Sequence, residues 1–130
     1  MQIDDSRPIW VQLVDEFRRR IATGEWQPGA KLPSVRDLAL DLGVNPNTVQ
    51  KALAEVDRLG LTTTERTAGR FVTHDVDGVA GERTALAEST ADIYIAAAAG
   101  LGLSLTEATT LLATRWPGHE ASISNREEAR

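Results

Sequence analysis

Apolar residues recur at Trp10, Leu13, Val14, Phe17 and Ile21, offsets of 0, 3, 4, 7 and 11 that fall on one side of a helix from about Pro8 to Ala22. Pro8 suits the first turn, where an amide is not needed, and Arg18, Arg19 and Arg20 stand near the C-terminus, where cations favour the helix dipole. Gly24 ends the segment. Pro28-Gly29 marks a turn, and Ala30-Lys31-Leu32 is short enough to pair as an edge strand. Ser34 precedes the periodic residues Val35, Leu38, Ala39 and Leu42, with Asp37 three positions on, so it can cap a second helix that Gly43 stops. Asn45 as cap and Pro46 at the first helical position open a third, striped by Val49, Ala52, Leu53, Val56 and Leu59 and closed by Gly60. Two helices joined by so short a turn containing glycine cross steeply, as in a helix-turn-helix. The helical period then stops: residues 61–65 and 71–73 are β-branched or aromatic runs around Ala68-Gly69, a β-hairpin. Three helices, a hairpin and a third short strand at 30–32 predict an α+β, mainly α, winged helix over residues 1–75.

Residues 76–83 carry two glycines and no apolar face, which predicts a linker. A helix follows from about residue 84 to 101, with Leu86, Thr90, Ile93, Ala97 and Leu101 along one side and Gly102 as its stop. Ser104 and Glu107 form a capping box before Ala108, Leu111 and Leu112, and Pro117-Gly118 is expected to end that last helix. The result is a two-helix appendage over 84–117, followed by a tail, 118–130, expected to be disordered. Ala96 to Ala99 permit close helix approach, and the apolar side is too large to bury on one short partner helix. Dimerisation through Leu86, Ile93, Ala97, Leu101, Leu111, Leu112 and Trp116 is therefore expected. Trp116 either anchors that contact or borders an effector cavity.

Composition narrows the function. At 130 residues and 14.1 kDa the chain is too short for a multidomain enzyme. It has no cysteine, hence no disulfide, thiolate nucleophile or Cys-ligated metal, and only His74 and His119 as histidines, so no metal centre is expected. Gly100-x-Gly102 follows a helix and lacks a third glycine, so it is no nucleotide loop, and no nucleophile, base and orienting acid occur together. Neither an enzyme nor a cofactor is expected. No apolar run approaches 18 residues and MQIDDSRPIW opens with acids, which predicts a cytoplasmic protein with no membrane partner. The net charge of -5 opposes nucleic-acid binding at first sight. Residues 1–75, however, carry 10 Lys+Arg against 11 Asp+Glu, net -1, whereas 76–130 carry 4 against 8, net -4. In the nearly neutral first part the placement of charge matters more than its sum.

The run Gly24-Glu25-Trp26-x-Pro28-Gly29-x-Lys31-Leu32-Pro33-Ser34-x-Arg36-x-Leu38-Ala39, then Leu42-Gly43-Val44-Asn45-x-x-Thr48-Val49-x-x-Ala52-Leu53, Leu59-Gly60-Leu61 and Gly69-Arg70-Phe71-Val72, closely resembles the GntR family of bacterial transcription regulators. The short tail with two predicted helices resembles the YtrA subgroup of that family. The resemblance implies a dimeric repressor that lays its third helix, residues 46–59, in the major groove of a pseudo-palindromic DNA operator and its wing in or beside the minor groove. It matches Arg36 to a family arginine that contacts DNA, and it implies an effector near the C-terminal helices. The residues agree with this implication. Opposite the apolar stripe of the third helix stand Asn47, Thr48, Gln50 and Lys51, whose side chains suit base edges or phosphates. Asn45 and Thr48 lie where helix-terminal amides and short polar side chains can hold a phosphate. In the wing, Arg66 and Arg70 flank Gly69, which lets the backbone approach a groove. The chain departs from the family pattern at Pro46, where a basic or hydroxyl residue is usual, and at Arg70, where threonine is usual; Arg70 is expected to add minor-groove affinity. The alternative is a winged-helix protein-interaction module without sequence-specific DNA binding, which the acidic balance suits.

Overall fold

A computed structural model describes the backbone of residues 1–128 and the side chains of residues 1–120. The elements run α1 (Ile9–Ala22), α2 (Val35–Leu42), α3 (Pro46–Arg58), β1 (Thr62–Glu65), β2 (Gly69–Val72), α4 (Val76–Gly100) and α5 (Leu105–Glu128). They form two compact units, Met1–Ala87 and Glu88–Arg130, so that α4 starts in the first and its later turns belong to the second.

The first unit closes on the predicted stripes. Leu13, Phe17 and Ile21 of α1, Leu38 of α2, and Val49, Ala52, Leu53 and Val56 of α3 share one buried cluster with Leu32, Leu61 and Val72. α1 begins one residue later than expected, with Pro8 as its N-cap. Gln12, polar yet buried, accepts a hydrogen bond from the Asp4 amide (3.0 Å) and donates to the Asp4 and Arg7 carbonyls (2.8 Å each), which clips the N-terminal segment onto α1. Trp26 packs on Phe17 with ring centroids 5.4 Å apart, and Trp10 lies half-buried against the core, so both have the structural roles their positions suggest.

β1 and β2 pair antiparallel in the register Thr62↔Val72, Thr63↔Phe71, Thr64↔Arg70, Glu65↔Gly69. The expected third strand is reduced to one bridge, Lys31↔Phe71, supported by bonds from Leu32 N to Arg70 O (2.8 Å) and Val72 N to Ala30 O (2.9 Å). Gly29, in a left-handed turn at φ +77°, and Pro33, which has no amide to donate, limit it at either end.

Two expectations about the C-terminal part are corrected. Residues 76–83 are not a linker but the first turns of α4. Asp75 accepts from the Gly78 amide (3.0 Å) as a cap, Val79 packs on the core of the first unit, and Glu82 pairs with Arg18 of α1. One apolar residue and one ion pair suffice to dock a segment whose glycines suggest flexibility. Likewise α5 does not end at Pro117-Gly118, and the residues expected as a disordered tail continue as helix to Glu128. The Trp116 indole N–H donates to Glu120 (3.1 Å) across Pro117, bridging the turn the proline weakens. Residues 129–130, the end of the expected tail, lie outside the described residues.

In the second unit α4 ends as the sequence predicts, with Gly102 at φ +83° and the Leu103 amide donating back to Ala98 O (3.0 Å). Ser104 and Glu107 form the reciprocal capping box, each bond 3.2 Å. Ala98 is buried, whereas Ile93, Ala97, Leu101, Leu111, Leu112 and Trp116 are exposed; Leu86, named with them from the helical period, belongs to the first unit and is half-buried. Tyr94, Leu111, Leu112 and Trp116 border an apolar groove of about 480 Å³. The Tyr94 hydroxyl is buried and has no hydrogen-bond partner among the described residues. No single helix among the described residues is long and apolar enough to cross a membrane.

Candidate nucleic-acid interface

The interface starts from two helix N-termini held by short polar caps. Ser34 Oγ accepts from the Asp37 amide (3.1 Å) at the head of α2, and Asn45 Oδ1 accepts from the Asn47 amide (2.8 Å) at the head of α3. Between them Gly43 takes a left-handed conformation at φ +67°, which a Cβ-bearing residue reaches only under strain, and the chain reverses into α3 within three residues. Val49, Ala52, Leu53 and Val56 then anchor α3 in the core, so its opposite side is fixed in direction.

That opposite side carries most of the expected residues. Asn47, Gln50 and Lys51 are exposed, and Thr48 is half-buried beside them. Asn45 is exposed too, but the first-turn amides are not free to hold a phosphate: Asn47 N bonds the Asn45 side chain, while Thr48 N and Val49 N bond the Asn45 carbonyl (3.0 and 3.2 Å). Side chains, not helix-terminal amides, are what this helix start offers a ligand. Lys51 is held in place, its Nζ 4.3 Å from the centroid of the Trp10 ring, a cation–π contact that leaves the ammonium on the surface. Arg36 is exposed in the first turn of α2 and makes no ion pair among the described residues, although Asp37 and Asp41 are neighbours in sequence.

The wing departs from expectation. Arg66 is exposed at the hairpin turn, but Arg70 folds back onto α3. Its Nε lies 3.1 and 3.3 Å from the two Asp57 carboxylate oxygens and its Nη2 lies 3.1 Å from Oδ2, with only 12% of the side chain exposed. The structure therefore separates Arg70 from Arg66 instead of presenting both at the tip. Gly69 also has a different use. Its φ of +114° requires glycine, and a Cβ there would lie 2.9 Å from Lys31 Cε, so the missing side chain makes room for a lysine crossing the wing. Lys31, exposed in the edge segment 30–32 and lying over Gly69, joins the candidate residues through its place beside the hairpin.

The ion pairs sort the cations of residues 1–75. Arg7, Arg18, Arg19, Arg20, Arg58 and Arg70 have carboxylate partners. Lys31, Arg36, Lys51 and Arg66 have none among the described residues, and these four lie on the wing, α2 and α3. The cations without ion pairs thus lie at the capped helix starts and the hairpin, where Asp37, Asp41 and Glu65 have no ion pair among the described residues either, so it is the placement of the cations and not a net positive charge that marks this side. No group of three or more His, Cys, Asp and Glu residues capable of holding a metal occurs among the described residues. His74 instead lies across Gly29, its ring 2.3 Å from where a Cβ would stand, and Asp75 caps α4.

Comparison with known proteins agrees with this geometry. Residues 11–72 match the bacterial regulatory proteins of the gntR family. The chain is 37% identical over 99 residues to the HTH-type transcriptional repressor YtrA of Bacillus subtilis (strain 168), covering 73% of this chain and 76% of that protein. Among solved structures, a GntR family transcriptional regulator from Listeria monocytogenes superposes with a TM-score of 0.80 at 32% identity, over 86% of this chain and 98% of that one. The AraR DBD in complex with operator ORR3 matches with a TM-score of 0.51 at 26% identity, over 56% of this chain and 88% of that one.

Proposed function

This chain belongs to the gntR family of bacterial regulatory proteins, as a winged-helix transcriptional regulator, and from that premise we propose that it represses transcription as a homodimer bound to a pseudo-palindromic operator. The observation that carries the reading is the sorting of cations within residues 1–75: those without carboxylate partners among the described residues are Lys31, Arg36, Lys51 and Arg66, around α2, α3 and the wing. In this reading Asn47 and Gln50 read base edges from the start of α3, Thr48, Arg36 and Lys51 position it on phosphates, and Arg66 and Lys31 hold the wing against the adjacent backbone. Asn45 supports the contact by setting the first turn of α3.

The dimer contact is assigned to the exposed apolar residues of the second unit, chiefly Ile93, Leu101, Leu111 and Leu112. A two-fold dimer places its two α3 helices on half-sites about 34 Å apart, or a multiple of that spacing. A second reading of the groove is favoured by the buried Tyr94 hydroxyl, which has no hydrogen-bond partner among the described residues: an apolar effector bearing one polar group would satisfy it.

Selection of duplexes from a random-sequence pool, followed by footprinting of the winner, tests the function. An inverted repeat bound with a steep inverse dependence on salt is expected. Equal affinity for the selected duplex and its scrambled version at moderate salt overturns the reading.

A further inference from the structure

Asp57 occupies the last turn of α3, and three residues of the hairpin converge on its carboxylate. Thr62 Oγ1 donates to one oxygen, Thr64 Oγ1 donates to the other (2.9 Å), and the Arg70 guanidinium spans both. The register explains the convergence. Thr62 and Thr64 are two apart on β1 and face the same way, and Arg70 is directly opposite Thr64 on β2. One face of the wing is thereby tied to the helix whose opposite end carries Asn47 and Gln50. The arginine is far more sheltered than in the surface pair on the same helix, 12% exposed for Arg70 against 69% for Arg58, while the carboxylates of Asp57 and Glu55 are alike at 27% and 28%.

We propose that Arg70 and Asp57 form a strut that sets the angle of the wing relative to α3, with Arg70 acting on DNA binding as a positioning residue and not as a contact. This rests on the DNA-binding reading above. A guanidinium can span both oxygens of a carboxylate, and a lysine ammonium, a point charge on a flexible stem, cannot reproduce that fork. Asp57, an acid facing the wing, improves DNA binding in this arrangement even though its charge repels phosphate.

The test uses the full chain and the duplex that the wild type selects from a random pool, with affinity measured across a salt series. The strut predicts that Asp57→Asn, Arg70→Ala and Arg70→Lys weaken binding by a similar factor, on the order of tenfold, and that Asp57→Asn with Arg70→Ala is no worse than either alone. Footprints of all three should lose protection at the flanks reached by the wing and keep it at the major-groove half-sites. Thr64→Val, which removes one hydroxyl from the network, should shift affinity in the same direction by less, and it serves where a charge variant fails to fold. A direct phosphate contact predicts a different set of results. Arg70→Lys would retain the salt slope, Arg70→Ala would lower it by about 0.9, and Asp57→Asn would bind as tightly as the wild type or more so; that set overturns the strut. Failure of the wild type to select any duplex overturns the DNA-binding reading, and the strut with it.

Discussion

The two units treat their apolar residues in opposite ways. In Met1–Ala87 the helical stripes meet one another, so that Leu13, Phe17, Ile21, Val49, Leu53 and Val56 are fully buried within a single chain. In Glu88–Arg130 the corresponding residues stay outside: Ile93 is 71% exposed and Leu101 80%. Ion pairs divide the same way, those among the described residues falling between Arg7 and Glu82. The first unit buries its apolar stripes within itself, which leaves Lys31, Arg36, Lys51 and Arg66 on its surface. The unit of two helices with large apolar residues facing solvent is the part to which the proposed dimer contact is assigned.

The strongest blow to the first unit is loss of its largest fully buried side chain. Phe17→Ala should cost about 3–5 kcal/mol, read as a lower denaturant midpoint at unchanged slope. If the substitution were nearly neutral, the contrast between a closed and an open unit would collapse. Ile93→Glu makes the complementary test. It should leave the unfolding of the first unit unaltered while shifting sedimentation toward monomer, and operator affinity should fall by about 100-fold because the second half-site is no longer tethered. A dimer that persists at micromolar concentration would place the partner surface elsewhere. Smaller again is the effect of a single unpaired cation: Lys31→Ala and Arg66→Ala should each lower the slope of log affinity against log salt by about 0.9, without altering base preference.

The first unit was also the more legible in sequence, and for a physical reason. A closed core repeats its signal locally: Val49, Ala52, Leu53 and Val56 announce the buried face of α3, and Asn45-Pro46 announces its start, all within twelve positions. The strut was not legible, because Asp57 and Arg70 stand thirteen residues apart and meet only through the hairpin register; an arginine near a wing tip, taken alone, reads as a DNA contact. The opening of α4 was hidden differently. Gly78 and Gly81 suggest a linker, and only Val79 and Glu82 dock the segment, too few residues to make a period, although Asp75 three positions before Gly78 was a usable capping signal. In the candidate site, Asn47, Gln50 and Lys51 followed directly from being opposite a buried stripe. The support of Lys51 by Trp10 did not, since it joins two helices far apart in the chain.

The mildest test of the contrast uses acid, because the first unit depends on ion pairs that the described part of the second lacks. The Glu16 carboxyl is held below its ordinary value, foremost by the hydrogen bond from Arg19 and further by Arg20, against the opposing effect of its partial burial. A carboxylate whose value is lowered on folding binds fewer protons in the native state than in the unfolded chain. Its contribution is complete above the ordinary value of 4.5 and is lost as pH falls through the lowered one. Glu16→Gln should therefore cost a few tenths of a kcal/mol at neutral pH, as befits a pair in which Arg19 remains half exposed. The difference from wild type should shrink below about pH 4 and vanish in stronger acid. The measurement is denaturant unfolding of both proteins at several pH values, and a difference that stayed constant down to strong acid would mean that Glu16 supports α1 by packing rather than by charge.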